Sequence, residues 1–198
     1  MCFMRFSKVL ANRLKGVLPL IISEHQSAFL KCRLITDNIL VAFETLHYMK
    51  NHNSRNTGFM ALKLDMSKAY DRVEWSFLKD VMIKMGFNDR WIVLVMKSIT
   101  FVSYSLLVNG EPFRHIIPTR GIRQGDPPSP YLFLLCSEGL HKHIQTTANN
   151  RAIKGVSICQ NGLKLMHLLF ADDSLLFYKA TRLECQKILE ILSTYERV

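Results

Sequence analysis

An α+β fold is predicted for this chain because helix-period and strand-period apolar patterns occur together without regular β-α alternation. In YSLLVNGEPFRHI, the pair Asn109-Gly110 supplies the positive φ angles of a tight antiparallel hairpin. Two other strand-like runs, FMALKLD and LKLMHLLFADDSLLFYK, end in or are broken by aspartates.

In chain order, residues near 5 to 18 repeat apolar side chains at helical spacing, and Pro19 is expected to stop that helix. SEHQSAFLKCR is irregular and polar. Thr36 or Asp37 is placed to cap a helix through NILVAFETLHYMK. NHNSRNTG reads as a loop, and Phe59 to Asp65 as a buried strand ending in an acid. VEWSFLKDVMIKMG is an amphipathic helix that Gly86 ends. Asn88 caps the helix after it, NDRWIVLVMKSIT. The hairpin follows, then a Pro- and Gly-rich loop, PTRGIRQGDPPSP, and a helix near Tyr131 to Gln145. Strands broken at Asn161-Gly162 and again at Asp172-Asp173 lead to a final amphipathic helix, RLECQKILEILSTYERV. There is no repeat, low-complexity tract or obvious linker.

A formal charge of +10 and a pI near 9.5 favour a polyanionic partner such as nucleic acid, the plainer alternative being a basic surface that aids solubility. Cys2, Cys32, Cys136, Cys159 and Cys185 are odd in number and lack CxxC spacing, so neither a zinc site nor a disulfide partner is indicated. They read as thiols of a reducing compartment. No apolar run reaches the ~18 residues of a membrane span. The N-terminal segment lacks the apolar core expected of a secretory signal. Its Phe6, Val9, Leu10, Leu14 and Val17 fit a packing face as well as a transit helix. The seven histidines form no ligand spacing, and His141 and His143, two apart on a helix, do not share a face. The methionines fall on apolar faces and read as core.

Asp172 and Asp173 stand side by side among large apolar residues, where repulsion and lost solvation both raise the free energy. A turn is one explanation, since Asp is common in turns, but Gly or Asn as second residue is missing. Asp65 ends another apolar strand. If the two strand ends are neighbours, three carboxylates converge and need cations. Oxygen-only ligands suit Mg²⁺, and two such ions ~3.5–4 Å apart clamp the oxygens of a phosphoryl transfer. On residues alone, structural acids in turns and caps remain the alternative.

LKLDMSKAYDRVEW, RGIRQGDPPSPYLFLLCSEGL and LLFADDSLLF resemble the three central motifs of a reverse transcriptase, with wording like that of plant non-LTR (LINE-type) retrotransposons. The upstream SKVLANRLKGVLPLIISEHQSAFLKCRLITDNILVAFE resembles the fingers of the same family. The resemblance covers nearly the whole chain and implies a right-hand polymerase fold, an antiparallel palm sheet backed by helices. About 1–57 would be fingers and about 58–198 mainly palm, with 104–120 a fingers-side hairpin and the thumb absent. By motif position, Asp65 and Asp172 would hold two Mg²⁺ ions (Mn²⁺ as substitute), with Asp173 the third acid and the Met66 carbonyl an extra ligand. Tyr70 would lie under the sugar of an incoming dNTP and exclude a 2′-hydroxyl. Gln124 and Gly125 would approach the nucleotide and templating pair, and Arg120 and Arg123 the template backbone or triphosphate. Arg33, with Lys31 and Lys63 as weaker candidates, would meet triphosphate or template. Phe170 and Ala171 would pack beneath the primer end, Asp126 would order its loop, and Asp71 and Glu74 would suit a helix start. The implied partners are an RNA template and a DNA primer, and the implied location is the nucleus.

The chain departs from the pattern at Lys31-Cys32, where the family has Pro-Gly, and at Pro128, where it has Leu. Against that pattern the segment is also expected to begin after the first fingers strand and to end one helix past the acid pair, without the later palm elements, thumb or an endonuclease region. Two hypotheses follow, a polymerase fragment or a degenerate retroelement product that at most binds nucleic acid. A two-carboxylate phosphatase or nuclease would need nucleophile or histidine motifs that are not evident.

Overall fold

The computed structural model describes residues 2–51, 58–158 and 164–197. The NHNSRNTG loop, His52, Cys159 and the Asn161-Gly162 break lie wholly or largely outside them. The chain forms two compact units, one from Met1–Val17 and Lys68–Cys136, the other from Leu18–Ser67 and Ser137–Val198.

Helix α1 spans Cys2–Ile21, so Pro19 lies inside it rather than ending it. Proline only removes the N–H that would bond the Lys15 carbonyl. The Ile22 N–H reaches the Leu18 carbonyl at 2.9 Å, and burial of Leu18 and Ile22 holds this last turn.

In the first unit, α3 (Trp75–Lys84) and α4 (Asp89–Thr100) pack together through Leu78, Val81, Met82, Ile92, Val95 and Ile99. Gly86, at φ 79°, reverses the chain after α3, and Phe87 N–H returns to the Met82 carbonyl at 3.1 Å. The Asn88 side chain then accepts from Arg90 N–H at 3.0 Å and caps α4 as expected. Strands β2 (Tyr104–Val108) and β3 (Glu111–Ile116) form the anticipated hairpin, with Asn109 and Gly110 at φ 52° and 86°. Every residue of both strands is exposed.

Helix α5 spans Ser129–Asn149, two residues earlier than the sequence suggests. Pro128 explains this. Its carbonyl receives both Tyr131 and Leu132 N–H at 3.0 Å, at a position where a missing donor costs nothing. The departure from the family pattern therefore acts as a helix start.

In the second unit, α2 runs Ile35–Asn51 and takes Thr36 and Asp37 into its first turn instead of using either as cap. There Asp37 faces the positive end of the helix dipole. Strand β1 (Phe59–Asp65) has the predicted limits, but none of its residues is fully buried, because it forms an edge of its sheet. It joins β6 (His167–Phe170) and β7 (Asp173–Lys179) in an antiparallel sheet of order β1-β7-β6, while β4 (Val156–Ser157) pairs with β5 (Lys164–Leu165). Alternation sends Leu176 and Tyr178 to one face, with Leu62, Leu64, Leu140 and Ile144 and the Ile188 and Ile191 side chains of α6 (Arg182–Glu196). Phe177 lies on the other face with Leu168, Phe59 and Tyr48 of α2. Thr181 caps α6, accepting from Glu184 N–H at 3.3 Å. Buried Glu184 accepts from Lys179 and Lys154 N–H at 3.0 and 3.4 Å, tying the helix start to β7.

Candidate active site

The β1–β7 register sets Asp65 directly opposite Asp173. Met66 N–H donates to the Asp172 carbonyl at 3.2 Å, so Asp65 and Asp173 form a non-hydrogen-bonded pair. In such pairs the Cα atoms approach to about 4.5 Å and the side chains leave the same face. Phe170 pairs with Asp173 on its other flank, so Asp65, Asp173 and Phe170 line up across one face. Residues far apart in sequence thus meet.

The break in the strand differs from the expected one. The two-residue turn is Ala171-Asp172, and Asp173 already belongs to β7. Ala171 takes φ 52°, a conformation usually given to glycine, at a cost of about 1–2 kcal/mol. What holds it there is not visible in the local sequence. Gln26, fully buried, accepts from Ala171 N–H at 3.2 Å and from Ala28 N–H at 3.0 Å through Oε1, and its Nε2 donates to Ser137 Oγ at 3.4 Å.

The three carboxylates are exposed, so the solvation loss expected of acids in an apolar run does not occur. Leu176 and Phe177 are buried on opposite faces of the sheet, whereas Asp65 and Asp173 sit at the strand ends and Asp172 in the turn, past the covered part of either face. Mutual repulsion remains. Lys63 Nζ stands 3.2 Å from Asp173 Oδ1, an exposed pair worth at most about 1 kcal/mol. The carboxylates offer oxygen ligands only, a donor set that fits Mg²⁺ or Mn²⁺.

Arg33 is half-buried, and its guanidinium donates to the carbonyls of Ser23, of Gln26 at 2.7 Å and of Ile22 at 3.0 Å. It satisfies groups left open just past α1, where a cation also suits the helix dipole. Lys31 is exposed.

Tyr70, Gln124, Gly125, Arg120 and Arg123 belong to the first unit. Ile122 N–H donates to the Tyr70 carbonyl at 2.9 Å, Gly121 N–H to that of Val73 at 2.8 Å, and Trp75 Nε1 to that of Gly121 at 2.7 Å. The glycine-rich loop is thereby pinned to the Tyr70 segment. Gly121, at φ 88°, lies so close to Asp71 that a Cβ would come within 3.0 Å of its carbonyl oxygen. The Tyr70 ring stacks on Phe133 at 5.3 Å. Gln124, Gly125 and Arg123 are exposed, and Arg120 pairs with Glu74 at 3.2 Å. Asp126 shapes its loop through its backbone, accepting Ser129 N–H at 3.1 Å.

A second group escaped the sequence reading. Among the described residues, the three metal-ligating side chains whose donor atoms all lie within 4.8 Å of one another are His25, His141 and His167. Burial pushes His141 down to about 4 and His167 to about 2, and lowers His25, so all are neutral near pH 7. Burial raises the Glu138 carboxyl beside them. No spacing rule reveals them, since they come from a loop, a helix and a strand.

Comparison with known proteins follows the same outline. The family model for reverse transcriptase (RNA-dependent DNA polymerase) matches residues 3–197. An uncharacterized mitochondrial protein of Arabidopsis thaliana is 43% identical over 68 residues, 34% of this chain and 56% of that protein. A retrovirus-related Pol polyprotein from the type-1 retrotransposable element R2 of Popillia japonica is 31% identical over 130 residues, covering 66% of this chain and 20% of the polyprotein. The transposon TX1 149 kDa protein of Xenopus laevis is 26% identical across 86% of this chain and 12% of its own length. The chain therefore spans only part of these relatives. Among solved structures, telomerase from Candida albicans in complex with a fragment of telomeric RNA superposes with TM-score 0.60 at 15% identity, over 96% of this chain and 31% of that one. Apo telomerase from Candida tropicalis truncated from its C-terminal domain gives 0.57 at 17%, over 97% and 38%. That likeness is one of fold.

Proposed function

The chain belongs to the reverse transcriptase family and is a domain of the non-LTR retrotransposon type; from that premise we propose that it supplies the nucleotidyl-transfer centre of an RNA-directed DNA polymerase. The observation that carries this reading is the pairing of Asp65 with Asp173 beside the turn that bears Asp172. Family membership implies dependence on a divalent metal in general. Here Asp65 and Asp172 are assigned to hold two Mg²⁺ ions, or Mn²⁺ in their place, with Asp173 the third acid and the Met66 carbonyl an added ligand. When bound, such ions lower the pKa of a primer 3′-hydroxyl and neutralise triphosphate charge.

The protein's own groups position and select. Tyr70 is assigned to exclude a 2′-hydroxyl, which favours dNTP over NTP. Gln124, an exposed amide with donor and acceptor, and Gly125, which tolerates φ 85°, are assigned to the nucleotide and templating pair. Arg120 and Arg123 meet template backbone or triphosphate. Phe170 and Ala171 support the primer end. Arg33 is assigned to triphosphate or template by motif position, with the donors that its carbonyl contacts leave over. The partners are an RNA template and a DNA primer, in keeping with the +10 charge, and the location is the nucleus. Among the described residues, no helix is long and apolar enough to cross a membrane. The fingers take about 1–57 with the 104–120 hairpin, and the palm most of the remainder.

Primer extension on an RNA template with Mg²⁺ tests the proposal. Wild type is expected to extend the primer and Asp172→Asn to fail; equal signal from both removes the enzymatic reading of this chain.

A further inference from the structure

We propose that His25, His141 and His167 form a binding site for one divalent transition-metal ion of the zinc type, apart from the carboxylate centre and independent of the polymerase reading. Their donor atoms already lie within 4.8 Å of one another, and imidazole nitrogen prefers zinc-like ions where carboxylate oxygen prefers Mg²⁺.

The arrangement fixes which nitrogens would bind. His141 Nδ1 stands 2.8 Å from His167 Nε2, so these two atoms face one point. The other His141 nitrogen, Nε2, lies 3.8 Å from Glu138 Oε1. A ligating histidine commonly turns its second N–H to a carboxylate, which sets its tautomer and strengthens it as a ligand. Glu138 is buried and held in place, its Oε2 accepting Ser23 N–H at 3.0 Å, and its charge would offset that of a dication. His25 stacks on His167 with ring centroids 4.7 Å apart. Nδ1 of His25 is buried without a hydrogen-bond partner, which is costly for a polar atom unless something else engages the ring. The 2.8 Å contact is that of a shared proton. Tetrahedral coordination, with bonds of about 2.0–2.1 Å, separates ligand nitrogens by roughly 3.3 Å, so a small outward shift admits the ion.

The site would clamp three segments of the second unit. His25 precedes the stretch that runs beside β6, where its carbonyl accepts Leu169 N–H at 2.8 Å and Ser27 N–H reaches the Leu169 carbonyl at 3.2 Å. Gln26, next in sequence, holds the Ala171 amide. His167 opens β6 and His141 lies on α5. An ion here would be structural, locking the strand and loop that present Asp172.

Cobalt(II) is the probe, used on the complete chain after treatment with chelator. One equivalent should bind and give the visible absorption of a tetrahedral centre, and zinc should displace it. His141→Gln, and His25→Gln with His167→Gln, should each weaken binding more than about 100-fold, and Glu138→Gln about 10–100-fold. Asp65→Asn with Asp172→Asn should leave the cobalt titration unchanged, which separates this site from the catalytic proposal. The wild-type spectrum needs no variant to fold. Absence of a stoichiometric cobalt spectrum from wild type overturns the proposal, as does equal binding by the histidine variants.

Discussion

Replacing Gln26 with Leu removes the brace of the acid-bearing turn while keeping most of the side-chain volume. Two buried N–H groups, of Ala28 and Ala171, lose their acceptor at 3.0 and 3.2 Å. An unsatisfied buried donor costs about 1–3 kcal/mol, so the pair costs roughly 2–4 kcal/mol after partial relaxation. That is a large share of the roughly 5–15 kcal/mol that holds a typical domain. With a urea slope of about 1–3 kcal/mol/M, the unfolding midpoint should fall by about 1–2 M. Urea denaturation of both proteins measures it. Because the chain has two compact units, amide hydrogen exchange at Ala28 and Ala171 should be followed in parallel. Both amides should exchange faster in the variant, and primer extension should drop as the turn loosens. A loss of stability below about 0.5 kcal/mol with unchanged exchange at Ala171 would refute the brace.

Asp65→Asn should abolish primer extension while changing the melting temperature by no more than a few degrees, since the carboxylate is exposed. Lys63→Met should alter stability by less than about 1 kcal/mol, because an exposed pair contributes little, yet tighten the response to Mg²⁺ by freeing Asp173. Glu184→Ala should cost about 2–4 kcal/mol in chemical denaturation, since the N–H groups of Lys179 and Lys154 lose their acceptor. Cys136 is fully buried with its thiol pushed up to about 12, so alkylation at pH 8 followed by peptide mapping should label exposed Cys32 and spare Cys136 until the chain unfolds.

Local physics made much of the fold legible. The strand Phe59–Asp65, the Asn88 cap, the Gly86 stop and the Asn109-Gly110 hairpin rest on short-range rules that the structure obeys. The convergence of Asp65 with Asp172-Asp173 was legible only through motif order, because register couples residues far apart in the chain. The turn lies one residue earlier than the sequence pattern suggests, since Ala171 adopts a glycine-like angle, and Gln26, which holds it, belongs to a segment with no feature beyond its polarity. Long-range polar satisfaction hid the rest. The carbonyl contacts of Arg33, the anchor at Glu184 and the three histidines have no period in sequence. The acids read as costly because their neighbours in sequence are apolar, yet those neighbours are buried on the two faces of the sheet while the acids occupy its open end.

The most direct measurement is oxidative cleavage of the backbone by Fe²⁺ bound in place of Mg²⁺, mapped by mass spectrometry. If one centre holds the acids, cuts should appear together near Asp65 and near Asp172, fade as Mg²⁺ is added, and vanish at both segments in Asp172→Asn. Cuts confined to one segment, or cuts near Asp65 that survive in Asp172→Asn, would contradict it.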